Sequence, residues 1–308
     1  MNGLRRGLMV LVSAALVVKA IQGTAVCQTV SPQEVADKGT RYAQRGDFEK
    51  AIKAYTEAIR LDPKFAYAYC CRGIAYGEKG ANHKAIADYT AAIRLSPKMV
   101  QAHYNRGQAF VALGHDDQAA EDFTKAIEID PAFSQAYMAR SKVHLRSGHP
   151  DLAIADAAHE IERHPKCAEA FFLRGAAYVE TGEYDRAIRD LTEAIELDAK
   201  LAQAYYDRGL AFVGKRELDR AIQDWSVVIE LEPRNAPAFA SRAMALSDKG
   251  EVDKAISDGT AAIKLQPNLA AAYYARALAL QKKGEESKAE EDFMQAEKLG
   301  YAPRKPQP

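Results

Sequence analysis

The chain has no excess of either charge and few cysteines. Lys and Arg together number 42 and Asp and Glu together also number 42, so the formal net charge is zero. A neutral chain without a basic stripe is not expected to follow the phosphates of a nucleic acid. Only four cysteines occur in 308 residues and none forms a C-x-x-C pair. This number and spacing exclude a disulfide framework.

Motifs that carry chemistry are missing, although two segments imitate them. Residues 209–216 resemble a phosphate-binding loop, but Arg216 stands where Ser or Thr would hold Mg²⁺. His159 and His164 resemble a zinc-protease helix, but they are five residues apart, and two ligands on one helical face need a spacing of four. The sequence therefore predicts no enzyme, no cofactor and no metal site. An enzyme would require the histidines at 144, 149, 159 and 164 to bind a metal, and it is the weakest alternative.

Long apolar runs are absent except at the N-terminus. Two arginines precede an apolar run over residues 7–18, and small residues follow at 23–25. This pattern predicts a secretory signal peptide over residues 1–27, followed by a short linker at 28–31. An uncleaved membrane anchor over residues 7–26 is the alternative. In either case we expect an exported bacterial protein, periplasmic or secreted.

Proline is scarce, yet six of the 12 prolines stand in one register. They recur at multiples of 34 residues, as Pro63, Pro97, Pro131, Pro165, Pro233 and Pro267. A fixed period of this size indicates a solenoid of two-helix units. Units beginning at residues 32, 66, 100, 134, 168, 202, 236 and 270 give eight repeats over 32–303 and leave 304–308 as a disordered tail. The sequence therefore predicts an all-α fold that leaves no room for a separate catalytic domain.

Each repeat is predicted to form a helix, a turn and a second helix. Glycine recurs at the turn, where a residue without Cβ reverses the chain at little cost. It does so as Gly46, Gly80, Gly114, Gly148, Gly182, Gly250 and Gly284. In repeat eight, Glu290 and Glu297 replace isoleucines of the earlier repeats. An apolar face turns polar where no further unit covers it, which predicts that the array ends there.

Over residues 32–303 the chain resembles the tetratricopeptide repeat family. The family's small eighth residue appears as Gly39, Gly73, Gly107, Gly175, Gly209, Ala243 and Ala277. Its eleventh aromatic appears as Tyr42, Tyr76, Phe110, Tyr178 and Phe212, and an alanine stands at position 20 of all eight repeats. The resemblance implies a right-handed superhelical solenoid whose first helices line a concave groove for peptide or helical segments.

The groove implied by this resemblance includes ten residues of the first helices. They are Tyr67, Gln101, Tyr104, Gln135, Met138, Glu169, Phe172, Gln203, Tyr206 and Tyr274. Aromatic side chains give a large contact area with little entropy to lose, which suits protein recognition. The alternative is that they pack between helices, as aromatic stripes at helical spacing usually do. Asn does not recur at position 9, so a carboxylate clamp for chaperone tails is not expected.

Charged residues also stand in register. Arg occupies position 7 and Asp occupies position 23 in repeats two to eight, and repeat one lacks both. This joint absence favours a salt bridge within each repeat over an arginine row that binds acidic ligands. Repeat four is irregular because Ser141, His144, Ala157 and Glu160 replace the usual residue types, and His144 is expected to pair with Glu160. Either a site or tolerated drift would explain this irregularity.

The sequence leaves two functions open. The first is a non-enzymatic scaffold that binds another protein in its groove. The second is a structural or self-assembling component of the cell envelope that uses its edges or convex face. We expect no nucleic acid as partner, membrane contact only through the N-terminal segment, and self-association under the second function.

Overall fold

A computed structural model describes residues 30–301, and this range contains sixteen helices and no strand. The helices are α1 (Pro32–Gln44), α2 (Phe48–Leu61), α3 (Ala66–Glu78), α4 (Asn82–Leu95), α5 (Val100–Ala112), α6 (Asp116–Ile129), α7 (Ser134–Arg146), α8 (Pro150–Arg163), α9 (Ala168–Thr181), α10 (Tyr184–Leu197), α11 (Ala202–Gly214), α12 (Leu218–Leu231), α13 (Ala236–Asp248), α14 (Val252–Leu265), α15 (Ala270–Lys283) and α16 (Glu286–Lys298). Among them, none has the length and hydropathy that a membrane crossing requires. The predicted signal peptide or anchor and the tail at 304–308 lie outside the described residues.

The helices alternate between two kinds, which confirms the all-α helix-turn-helix architecture. Odd-numbered helices are the first helices of the repeats and even-numbered helices are the second ones. The described residues divide into two compact parts, one that ends at Ala139 and one that begins at Arg140. Within each part, a second helix packs between its own first helix and the next one. First helices also contact each other, as α3 contacts α5 in the first part and α9 contacts α11 in the second.

Each turn inside a repeat contains a residue in the left-handed backbone conformation, which glycine adopts most easily. Every turn glycine predicted above has a positive φ, between 72° and 85°. Repeat six has no glycine there, and Arg216 adopts φ 63° in its place. The segment that imitates a phosphate-binding loop is therefore the end of α11 and this turn. The first helix begins with a capping box, because Ser31 accepts from the Glu34 amide and Glu34 accepts from the Ser31 amide.

In five repeats, a glycine at position 8 lies against a large side chain at position 24. A Cβ added to Gly209 would lie 2.7 Å from Nε1 of Trp225, and one added to Gly107 would lie 2.6 Å from Cε1 of Phe123. Glycine is required here because the large ring lies against its backbone. In repeat four both sizes change, and Ser141 donates a hydrogen bond of 3.0 Å to the carbonyl of Ala153. The hydroxyl of Ser141 thus finds its acceptor on the second helix of the same repeat.

Candidate functional site

The arginine row is engaged by the protein itself. In repeats two to eight each arginine donates from Nε and Nη2 to the aspartate sixteen residues later, at 2.6–2.9 Å. The aspartates are buried, with exposed fractions of 3–8%. Burial raises the pKa of the Asp122 carboxyl, but hydrogen bonds from Arg106 and His103 outweigh burial and hold this pKa below its usual value. We call each of these two-bond arginine–aspartate pairs a fork. The forks support a structural role for the arginine row over the binding of acidic ligands.

The same arginines also join neighbouring repeats. Nη1 of Arg72 donates to the hydroxyl of Thr56 in the preceding repeat at 3.0 Å, and Arg208 donates to Thr192 at 3.0 Å. Ser226 supplies the hydroxyl for Arg242 at 2.9 Å. Repeat four has an alanine, residue 158, at this position, so Arg174 finds no hydroxyl there. The link between repeats four and five therefore lacks one hydrogen bond that other repeats have.

In the first part, the predicted surface residues differ in exposure. Tyr67 is half-buried, with its ring 5.8 Å from that of Phe65. The Tyr104 ring stands edge-on to Phe133 at 5.2 Å, and its hydroxyl accepts from Gln108 at 3.0 Å. Gln101 donates to the side chain of Asn105 at 2.9 Å, Met138 is buried and Gln135 is exposed. Of these residues, Gln135 alone is exposed, and the two tyrosines are half-buried.

In the second part, Glu169 and Gln203 are exposed, and Glu169 pairs with Lys142. Phe172 is half-buried. The hydroxyl of Tyr206 lies 3.0 Å from that of Ser241, and its ring is 6.3 Å from that of Trp225. The Tyr274 ring stacks on Tyr301 at 4.3 Å. The aromatic members of this set therefore contribute to packing between neighbouring helices, while its polar members face solvent.

Sequence reasoning missed Asp207, on the first helix of repeat six. At the same position, Cys71, Asn105, Ala139, Leu173, Ser241 and Ala275 are all buried, with exposed fractions of 0–9%. Burial and, to a smaller extent, the nearby charge of Glu180 raise the pKa of the Asp207 carboxyl to about 7. Repeat one also has an acid at this position, Asp37, which accepts from Gln33 at 2.8 Å. An acid inside the array, at a position that is small, apolar or neutral in repeats two to five, seven and eight, was the available signal.

Repeat four does not assemble a metal site. Nε2 of His144 lies 4.0 Å from the Asp156 carboxylate, and the His144 and His149 rings are 6.3 Å apart. Glu160 accepts from Nδ1 of His164 at 2.7 Å, so the pair expected between His144 and Glu160 is wrong. Glu160 reaches along its own helix to the residue four positions later, which stacking on one helical face favours. Within residues 30–301, no three His, Cys, Asp or Glu side chains are arranged to hold a metal.

The helices come in pairs that recur at a fixed period along the chain, and the forks join the two helices of a pair. These features define an α-solenoid of helical hairpins. Models of tetratricopeptide repeats match residues 70–132 and 270–299, and a further repeat model matches residues 39–80 and 175–215. The chain belongs to the tetratricopeptide repeat family. No curated protein matches the chain.

Solved structures share this fold. A tetratricopeptide repeat protein from Parabacteroides merdae aligns with TM-score 0.64 and 19% identity, over 81% of this chain and 98% of that one. YrrB, described as having an unusual peptide-binding site, aligns with TM-score 0.54 and 22% identity, over 61% of this chain and 96% of its own. MamA aligns with TM-score 0.51 and 26% identity, over 54% and 96%. The fold indicates a protein–protein interaction scaffold.

Proposed function

We propose that this protein is an exported, non-enzymatic scaffold that binds a peptide or helical segment of another protein on the surface of its first helices. One observation carries the proposal: on these helices, exposed Gln135, Glu169 and Gln203 stand beside half-buried aromatic side chains. On the second helices, the buried aspartates of repeats two to eight are occupied by the forks described above. The first-helix surface is thus where side chains vary without disturbing the links between repeats.

The similarity to YrrB supports peptide binding as the kind of function, without indicating the surface. That protein is described as a tetratricopeptide repeat protein with an unusual peptide-binding site. Half-buried rings with polar side chains beside them suit an extended or helical segment, because the rings supply apolar contact and the polar groups fix its register. Export is supported by the N-terminal order of basic, apolar and small residues.

Site-specific photo-crosslinking tests the proposal. A photoreactive amino acid replaces Gln203, which is exposed on the first helix of repeat six. The matched control replaces Gln223, which is exposed on the second helix of the same repeat. After irradiation of cells that produce the full chain, we expect a partner protein on the Gln203 variant and none on the Gln223 variant. Mass spectrometry of the crosslinked peptide identifies the bound segment.

Three results would contradict parts of this proposal. Equal crosslinking from both positions would show that the first-helix surface is not the binding surface. Crosslinks only between copies of this chain would favour the self-assembling envelope component. Recovery of the protein in the cytoplasmic fraction with its N-terminus intact would refute export, whereas a mature N-terminus near residue 28 in the periplasm or medium would support it.

A further inference from the structure

The first helix of repeat seven, α13, is covered on the side that forms the candidate surface on the first helix before it. On α11, Tyr206 and Val213 stand seven residues apart on one helical face. Tyr206 is half-buried, and Val213 is exposed at 39%. The residues at the same two positions of α13 are Ala240 and Ser247, with exposed fractions of 1% and 0%. The surface therefore changes from open to closed between repeats six and seven.

The first helix of repeat eight, α15, provides this cover, since it packs directly on α13. Near the start of both helices, Ala240 shares a buried cluster with Ala272 of α15. Near their other end, Nζ of Lys282 donates to the backbone carbonyl of Ser247 at 2.7 Å and pairs with the carboxylate of Asp248 at 3.4 Å. A contact near each end holds the two helices side by side, which leaves no space for a bound segment between them.

Gly259, on the second helix of repeat seven, allows this close approach. The same position holds a large side chain in six other repeats, as Trp225 in repeat six, which lies against Gly209 of its own first helix. In repeat seven the side chain is missing, and a Cβ added to Gly259 would lie 2.8 Å from Cβ and 3.2 Å from Cα of Arg276 on α15. The backbone of α15 therefore lies directly against this glycine, in space that a side chain would need.

We infer that repeats seven and eight form a closed end of the binding surface, so that a bound partner segment runs over α9 and α11 and leaves the array at α13. This inference rests on the proposed function and adds the extent of the surface and the kind of partner that it fits. Apolar side chains of the segment contact half-buried Leu210 and exposed Val213 on α11. Ala240 and Ser247 offer no area for the segment to continue. The partner is therefore a short segment rather than a long helix that extends to repeat eight.

Thiol labelling tests the closed end without a partner. Ser247→Cys and Val213→Cys place a thiol at the same repeat position of α13 and α11 in the purified full chain, and the rate of reaction with a maleimide reports its exposure. Mass spectrometry of each labelled peptide separates these sites from the native cysteines. We expect Val213→Cys to react at least tenfold faster than Ser247→Cys. Equal rates would overturn the inference, because α13 would then be open in solution.

A double variant should open the closed end. Ala243→Gly with Gly259→Leu gives repeat seven the two residues that repeat five has, Gly175 and Leu191. The new side chain needs the space that α15 occupies, so the thiol of Ser247→Cys should react at least tenfold faster in this background than in the native one. An unchanged rate would overturn the assignment of Gly259 as the residue that lets α15 close the surface.

Photo-crosslinking connects the closed end with the partner. With the photoreactive residue at Gln281, which is exposed on α15, we expect no crosslink to the partner that position 203 captures. A crosslink of that partner from position 281 would show that the segment continues over repeat eight, and would overturn the inference while the proposed function stands. If position 203 captures no protein, the proposed function fails and with it the path of the segment. The labelling rates still decide in that case whether repeats seven and eight are closed.

Discussion

Replacing Asp207 by Asn should remove one pH-dependent contribution to the stability of repeat six. Burial raises the pKa of this carboxyl from 3.8 to about 7 in the folded chain. Between these values the unfolded chain releases the proton while the folded chain keeps it. The folded state therefore binds more protons than the unfolded state, and stability falls as pH rises through this window.

The size of the effect follows from the two pKa values. Their separation corresponds to about 4 kcal/mol of unfolding free energy when pH rises from below 3.8 to above 7. About 2.5 kcal/mol of this falls between pH 5 and pH 8, where the rest of the chain stays folded more readily than in strong acid. The Asn side chain does not ionise, so the Asp207→Asn variant should lose none of this unfolding free energy as pH rises. At pH 8 the variant should therefore be the more stable protein.

The chain has a built-in reporter for this measurement. Trp225 is the only tryptophan of the chain, and it belongs to the same repeat as Asp207. It is buried, with an exposed fraction of 2%. Its fluorescence during urea unfolding follows repeat six even if the array does not unfold in one step. Subtracting the variant's unfolding free energy from that of the native chain at each pH cancels the other titrating groups. If the unfolding free energies of the native chain and the variant change in parallel from pH 5 to pH 8, the reasoning is refuted. Asp207 would then ionise as easily in the folded chain as in the unfolded chain.

Three further changes test how the repeats are joined. Ala158→Thr should give Arg174 the hydroxyl that it lacks and add about 0.5–1.5 kcal/mol to the unfolding free energy, while Ala158→Val, with the same shape, should not. Gly107→Ala should cost about 1–3 kcal/mol because the new methyl meets the ring of Phe123. In a Phe123→Ala background the same change should instead stabilise by about 0.5–1 kcal/mol, which a double-mutant cycle in urea would show. Arg208→Gln should cost about 3–5 kcal/mol in the same assay because it leaves a buried carboxylate unpaired; a loss under 1 kcal/mol would refute that role.

The repeat register made the fold predictable from sequence. Proline and glycine at fixed spacing mark helix ends and turns through backbone restrictions that act locally, so they need no knowledge of the packing. The pairing of each arginine with the aspartate sixteen residues later was also accessible, because repeat one lacks both members together. What position counting did not give was the third bond of the fork, to a hydroxyl of the preceding repeat. That bond depends on how successive repeats pack.

The candidate surface was harder to predict for a physical reason. An aromatic residue on a first helix serves packing and recognition equally well, and only its surroundings distinguish the two roles. Tyr206, with its hydroxyl on Ser241, and Tyr274, stacked on Tyr301, show how far such rings turn toward neighbouring helices. For the pair His144 and Glu160, the sequence identified unusual residues but not their partners. Glu160 pairs along its own helix with His164, a local contact that a comparison between repeats does not reveal.

The array separates the residues that hold it together from those available for binding. Forks, size-matched pairs and turn glycines repeat in nearly every unit because every junction needs them, so these positions tolerate little change. A residue that differs in type from its counterparts in the other repeats, and has no compensating partner, then lowers the stability of the array. Ser141 with Ala157 departs and is compensated, since the smaller side chain opposite makes room for it. Asp207 also departs from most of its register, and burial raises the pKa of its carboxyl, so its cost is expected as a fall in stability when pH rises.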